Sequence, residues 1–396
     1  MRRRIFGWAW PLALLGLAAQ PTAAEDAPTR DTAVASLDAL LEPVRARHDV
    51  PALTAIVISS RGTLARGTVG VRKRGAPTKV GADDLWHLGS CTKTMTATLI
   101  GRLVDQKKLR FDLTLGEAFP KLAKTMHADW KAVTLDLLLR NRSGMPADLG
   151  RDGLWGRLYA HQGAPREARR LLAATALTWK PRTKPGTAYE YSNAGFAIAG
   201  HVAETVLDTP YEALLVDVLL KPLGATPAGF GPPGPGGVTQ PWGHRFTPAG
   251  RPPVDPATLG ADNPPAITPA GRVHMTMDAW AHFVRLHLRG ARPGKDTLLL
   301  KRETLQRLQS PRPKEDYAMG WVRLQRPWAG GPVLMHNGSN TMWFAVTWVA
   351  PKKDLAILVA CNQGGGPGDK ATDAATAACL RWWQGPAGRQ AIERLR

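Results

Sequence analysis

His87-Leu88-Gly89-Ser90-Cys91-Thr92-Lys93 leads straight into Thr92 to Gln106, where apolar residues recur at helical spacing. Three residues along a helix turn through about 300°, so Ser90 and Lys93 share a face, one turn apart. A serine hydroxyl is a weak nucleophile until a base takes its proton. A lysine in a partly desolvated site at a helix start, where positive charge is disfavoured, gives up its own proton more readily and can assist. The S-x-x-K spacing alone is common, because a capping serine followed by a solvated lysine has the same letters. Its meaning depends on what else the chain carries.

Two further stretches carry chemistry. Tyr191-Ser192-Asn193 follows Pro185-Gly186 and Tyr189-Glu190 and opens a second helical pattern, Gly195 to Leu207. A phenol beside a cationic lysine is expected to have a lowered pKa and to shuttle the serine proton. His336-Asn337-Gly338-Ser339 comes just after an expected strand, Pro332 to Met335. Glycine at this point is read as letting a substrate backbone approach, with the next amide donating into an oxyanion hole. Each stretch also has a plain structural explanation, a packed tyrosine with a helix cap in one case and a strand-to-turn transition in the other.

In this order and spacing, S-x-x-K, Y-x-N about a hundred residues later and a basic residue/x/Gly strand near the end resemble the serine β-lactamase and penicillin-binding-protein family. Within it they resemble the branch of class C β-lactamases, D-aminopeptidases, DD-carboxypeptidases and related esterases. Leu137-Leu138-Leu139 with Ser143-Gly144-Met145-Pro146 is similar to that branch's LLxHxSGLP stretch, and the likeness runs from about residue 33 to 385. The resemblance implies that Ser90 is the acylated nucleophile, Lys93 its proton-accepting neighbour and Tyr191 the general base and later acid. It implies that Asn193 orients Lys93 and the substrate amide, and that the amides of Ser90 and Ser339 form the oxyanion hole. His336 stands where the family's K-T-G motif has Lys, and Asn337 where it has Thr, beside Gly338. A fixed ammonium and a hydroxyl suit the carboxylate of a β-lactam or a D-Ala terminus, whereas an ordinary imidazole is mostly neutral at pH 7. Esterase or D-amino-acid peptidase activity is therefore expected ahead of efficient β-lactamase activity.

The remaining pattern is consistent with that family's fold. Ala52 to Ser59, the Arg61-Gly62 turn and Thr63 to Val71 read as a hairpin, as do Trp343 to Ala350 and Leu355 to Asn362 around Pro351-Lys352-Lys353-Asp354. Helical spacing dominates between them, at Thr92 to Gln106, Leu135 to Arg140, Gly195 to Leu207 and Asp278 to Leu288, the last with Thr276 as N-cap. The expected fold class is α+β, a β-lactamase/transpeptidase-like antiparallel sheet built from N- and C-terminal strands, with a helical region of about 92–290 inserted. Residues 25–396 then form one domain. Residues 221–269 hold 13 of the 33 prolines, yet also Gln240-Pro241-Trp242-Gly243-His244 and Ala266-Ile267, so they read as an ordered loop over a site rather than a linker.

Residues 1–24 have a basic start (Arg2, Arg3, Arg4), a short apolar run from Ile5 to Ala19 broken by Pro11, and small residues before Glu25-Asp26. They read as a cleavable export signal, too short to span a bilayer, which places the protein in the periplasm or outside the cell. Its removal takes three arginines and no acid from a formal net charge of +20. The remaining charge suggests attraction to an anionic envelope surface, while no nucleic-acid motif is present. Cys91, Cys361 and Cys379 give no disulfide framework, although Cys361 and Cys379 remain free to pair in an oxidising compartment. There is no G-x-S-x-G elbow and no H-E-x-x-H pair, which disfavours an α/β-hydrolase and a zinc enzyme. No cofactor, metal or obligate protein partner is expected. The expected protein is an exported serine hydrolase that forms an acyl-enzyme on an ester, amide or β-lactam bond of a small or peptidoglycan-derived substrate. A catalytically silent member that binds cell-wall material is the alternative, disfavoured because Ser90, Lys93 and Tyr191 are all intact.

Overall fold

The computed structural model describes residues 34–234, 236–291 and 299–395; the expected leader lies outside them. Twelve strands are formed among the described residues, in chain order β1 (Ala35–Ser36), β2 (Ala52–Ile58), β3 (Thr63–Gly70), β4 (Trp86–His87), β5 (Ala228–Phe230), β6 (Gly243–His244), β7 (Pro253–Val254), β8 (Val273–Met275), β9 (Val322–Arg326), β10 (Gly331–Ser339), β11 (Phe344–Ala350) and β12 (Leu355–Cys361). The helices that matter below are α1 (Asp38–Arg47), α2 (Thr92–Asp105), α3 (Pro165–Ala176), α4 (Asn193–Val206), α5 (Met277–Gly290) and α6 (Gly365–Gln384).

Strands β2 and β12 have no exposed residue and pair antiparallel at the centre of a seven-stranded sheet ordered β1-β3-β2-β12-β11-β10-β9. Strands covered on both faces read as unbroken apolar runs rather than alternating ones, which is how these two look in the sequence. Alternation survives in where their side chains go. Ile56 and Ile58 join the core on the α5 side with Trp280, Phe283 and Val284. Ala55 and Val57 join Leu41 of α1 and Ala371, Ala375 and Cys379 of α6 on the other. The sheet thus unites the early strands β1 to β3 with the late strands β9 to β12, as expected for this α+β class. It is not wholly antiparallel, since the two-residue edge strand β1 runs parallel to β3.

The inserted region differs from expectation in two respects. Its helices continue past residue 290 to Arg302–Gln309, and it contains sheet of its own, β4-β8-β5 and β6-β7. The described residues of the proline-rich stretch are ordered, and some of them are packing material. Gln240 Oε1 accepts the Leu85 N–H at 2.7 Å, and the His244 N–H reaches Met342 O at 3.0 Å. All three cysteines are buried free thiols, so Cys361 and Cys379 do not pair. Their burial in apolar surroundings raises both thiols, each to about 12.

Candidate active site

Ser90 lies in a short 3-10 turn, Gly89–Cys91, and Lys93 is the second residue of α2. The turn is fastened from behind: β4 pairs with β8, and the Leu88 N–H bonds Val273 O at 2.9 Å. α2 is almost wholly buried even though four threonines lie in it. The helix tolerates them because Thr94 and Thr98 return their hydroxyls to the carbonyls of Cys91 and Thr94, both at 2.7 Å.

The Lys93 side chain is fully buried, and its Nζ has three partners: Ser90 Oγ at 3.0 Å, Asn193 Oδ1 at 2.7 Å and Ala270 O at 2.7 Å. Among the described residues no carboxylate pairs with it. Burial therefore dominates and lowers Lys93 to about 7. Asn193 reaches Lys93 because it is the first residue of α4, whose cap is Ser192; the Ser192 hydroxyl accepts the Gly195 N–H at 3.3 Å.

Tyr191 is half-buried, hydrogen-bonded to Ser90, with Lys93 Nζ 4.7 Å from its ring centroid. Its position agrees with expectation, but its electrostatics do not. The phenol is raised well above its ordinary value because desolvation outweighs its hydrogen bond with Ser90. Tyr191 is held as a phenol, not a phenolate.

Two glycines bring the third element to Ser90. His336 to Ser339 lie inside β10 rather than after it, paired with Phe344 to Thr347 of β11. A Cβ on Gly338 would collide with Leu88 O and come within 2.5 Å of Ser90 N. A Cβ on Gly89, whose φ is +50°, would collide with Ser339 N. Gly338 thus serves a close approach between two segments of the chain, where a substrate approach was expected, and that contact brings the Ser90 and Ser339 amides together. Asn337 is exposed on the strand.

His336 is buried, with its ring centroid 6.5 Å from that of Tyr191 and 6.3 Å from that of Tyr317. Its Nδ1 faces Asn337 O at 2.5 Å, so the network assigns the ring proton to Nδ1 and leaves Nε2 a bare, buried acceptor without a protein partner among the described residues. Burial, reinforced by Lys93, lowers His336 to about 3. The imidazole is therefore neutral at any ordinary pH, and its single N–H is already taken.

Two parts of the site were not singled out from the sequence. One is the Ala270 carbonyl, which carries no side-chain signal at all. The other is Asn141, within the Leu137 to Pro146 stretch. Its carbonyl accepts the Glu190 N–H at 2.8 Å and its Oδ1 the Ser192 N–H at 3.1 Å, gripping the Tyr191 segment on both sides.

The β-lactamase family model matches residues 37–380. "Penicillin-binding protein 4" of Amycolatopsis lactamdurans is 27% identical over 340 residues, covering 82% of this chain and 84% of that protein. Among solved structures, a class C β-lactamase superposes with a TM-score of 0.70 at 18% identity over 87% of this chain and 94% of the other. A D-stereospecific amidohydrolase from Streptomyces sp. does so at 0.63 and 23%, over 85% and 96%. These two likenesses speak to the fold, and the family match spans nearly everything that the structure describes. The chain belongs to the β-lactamase family.

Proposed function

We propose that the protein is a serine hydrolase acting through an acyl-enzyme at Ser90, and that it prefers esters or amides without a carboxylate beside the scissile bond to β-lactams. The observation that carries the reading is the hydrogen-bond inventory of Lys93. Asn193 Oδ1 and Ala270 O only accept, so a neutral amine gives both its N–H groups to them and turns its lone pair to the third partner, the Ser90 hydroxyl. An ordinary lysine, with a pKa near ~10.4, would hold a proton there instead.

In this reading Ser90 Oγ forms a bond to the substrate carbonyl carbon as its proton passes to Lys93 Nζ. The carbonyl oxygen gains the electron pair and is received by the Ser90 and Ser339 amides. Collapse of the tetrahedral species expels the leaving group, which takes a proton from the Tyr191 hydroxyl; Tyr191 is replenished from Lys93, leaving an acyl-Ser90 ester. Water repeats the sequence, is deprotonated in Ser90's place and releases the acid. Tyr191 thus acts as a neutral proton relay, and Lys93 is the base.

Substrate preference rests on His336. Its imidazole is neutral and its N–H is directed at a backbone carbonyl, so it offers a substrate carboxylate neither charge nor a donor. A turnover panel of nitrocefin, a p-nitrophenyl short-chain ester, a D-Ala-D-Ala peptide and a D-aminoacyl anilide tests this. The ester or the anilide is expected to exceed nitrocefin in kcat/KM by at least about tenfold, the scale of one charged hydrogen bond. Nitrocefin as the best substrate would contradict it. Export is proposed with the activity, supported by the basic and then apolar start of the chain.

A further inference from the structure

Asp262 lies in the proline-rich stretch, 95% buried, and its two oxygens reach the two segments that carry the Ser90 and Ser339 amides. Oδ2 accepts from His87 Nε2 at 2.9 Å and from Arg272 Nε at 3.3 Å. Oδ1 accepts from Asn340 Nδ2 at 2.9 Å and from the Asn263 N–H at 2.8 Å. Burial works against the ionised carboxylate, but His87, Arg272 and Asn340 more than offset it, and its pKa is lowered overall.

The first link ends on the Gly89 N–H, next to Ser90, and the second on the turn that follows Ser339. On the first, His87 Nδ1 accepts the Gly89 N–H at 3.2 Å, one residue before Ser90. The ring has one proton in its neutral form, and the network assigns it to Nε2, where Asp262 takes it; this leaves Nδ1 bare for Gly89. On the second, Asn340 follows Ser339 directly. With its Nδ2 held by Asp262, its Oδ1 accepts the Met342 and Trp343 N–H groups at 3.2 and 3.1 Å, fixing the turn that leaves β10. Ser339 Oγ bonds Trp343 O at 2.6 Å within the same turn.

We propose that Asp262 is a positioning residue for the oxyanion hole: through His87 it orients the Ser90 half and through Asn340 the Ser339 half, so that one carboxylate sets the relation between the two amides. The proposal rests on Ser90 being the nucleophile. It requires no contact between Asp262 and substrate. An oxyanion donor is worth about 10²–10³-fold in kcat, and misplacement of the reacting geometry by about 1 Å is worth about 10²-fold.

The substitution Asp262→Asn is nearly isosteric and tests the tautomer argument. If the amide oxygen stays on Asn340, the amide NH2 faces His87 Nε2. The ring must then move its proton to Nδ1, where it opposes the Gly89 N–H. The measurements are kcat and KM for a p-nitrophenyl ester, normalised to sites titrated with a fluorophosphonate, and Ki for phenylboronic acid, which forms a tetrahedral adduct on the serine. The expected result is a fall in kcat of about 100-fold with KM within about threefold of wild type, and a boronate Ki weakened in step with kcat/KM. A purely structural role would lower the melting temperature or the fraction of titratable sites and leave kcat per site unchanged. Asn340→Ser, which perturbs only the second link, is expected to lower kcat per site by about tenfold or more. Wild-type kcat per site and boronate Ki in either folded variant would overturn the proposal. A wild-type protein that the fluorophosphonate does not label at Ser90 would instead remove the hydrolase reading on which it rests.

Discussion

The carbonyl oxygen of Ala270 lies 2.7 Å from Lys93 Nζ, a backbone acceptor on the one side of the amine that neither Ser90 nor Asn193 occupies. It makes the number of N–H groups on Lys93 decisive: two go to carbonyl-type oxygens, and whatever remains faces the Ser90 hydroxyl. Because burial lowers Lys93 to about 7, that remainder is a lone pair above neutrality and a proton below it. The base form accumulates as pH rises, so kcat/KM for an uncharged ester is expected to climb about tenfold per unit below pH 7 and to level off above it. An ordinary lysine would keep the profile climbing beyond pH 9, and such a profile would contradict the assignment.

Tyr191→Phe is expected to reduce kcat by about 10²–10⁴-fold with little change in KM, since it removes a proton relay and not a binding group. The effect is expected to grow with the basicity of the leaving group, because p-nitrophenolate departs without a proton and an anilide does not. Tyr189 is 46% exposed, and Tyr189→Phe serves as the control. Equal loss in both variants would mean that the relay has been assigned to the wrong tyrosine.

The environment of His336 makes a distinct prediction. With its pKa near 3, lowering the pH from 7.5 to 5.5 leaves it uncharged. The ratio of kcat/KM for a carboxylate-bearing substrate to that for a neutral one should not move over that interval, although both values fall as Lys93 gains a proton. His336→Lys is expected to raise that ratio about tenfold at pH 7.5, about 1.4 kcal/mol from one charged hydrogen bond. A ratio that rises on acidification of the wild type, or one that ignores the substitution, would show that this position does not read charge in the way described.

The helical region holds a buried ion cluster. Arg169 of α3, fully buried, bonds Glu204 of α4 at 2.6 and 2.8 Å and Glu212 at 2.8 Å, while His201 Nδ1 meets Glu204 at 2.7 Å. Burial would raise Glu204, but the bonds from Arg169 and His201 prevail and hold it near 2. Its contribution is thus present above about pH 4.5 and lost as the pH falls toward 2. Arg169→Ala leaves buried carboxylates uncompensated and is expected to cost about 3–5 kcal/mol, read as a lower urea midpoint at pH 7. A loss below about 1 kcal/mol would show that solvent reaches the cluster.

Particular residues show how far the sequence leads and where it stops. The β2 and β12 strands, α2, α4 and the Thr276 cap of α5 are visible because local pattern and tertiary burial agree there. Ser90, Lys93, Tyr191 and Asn193 are legible as spaced letters, and the fold brings them together. What stays hidden depends on surroundings. Burial is a tertiary property, so the sequence suggests a lowered Tyr191 phenol where the structure holds it raised, and an ordinary His336 imidazole where the structure lowers it further to about 3. The Ala270 carbonyl has no letter of its own. Gly338 was singled out, but the segment it approaches, Leu88 to Cys91, lies some 250 residues away in the chain.

Reaction of the protein with a fluorophosphonate, followed over pH by intact mass and peptide mapping, tests the central claim most directly. The account predicts one adduct, on Ser90, formed at a rate that rises through about pH 7 to a plateau, and no adduct in Ser90→Ala. An adduct that persists in Ser90→Ala, or one that maps to another residue, would contradict it.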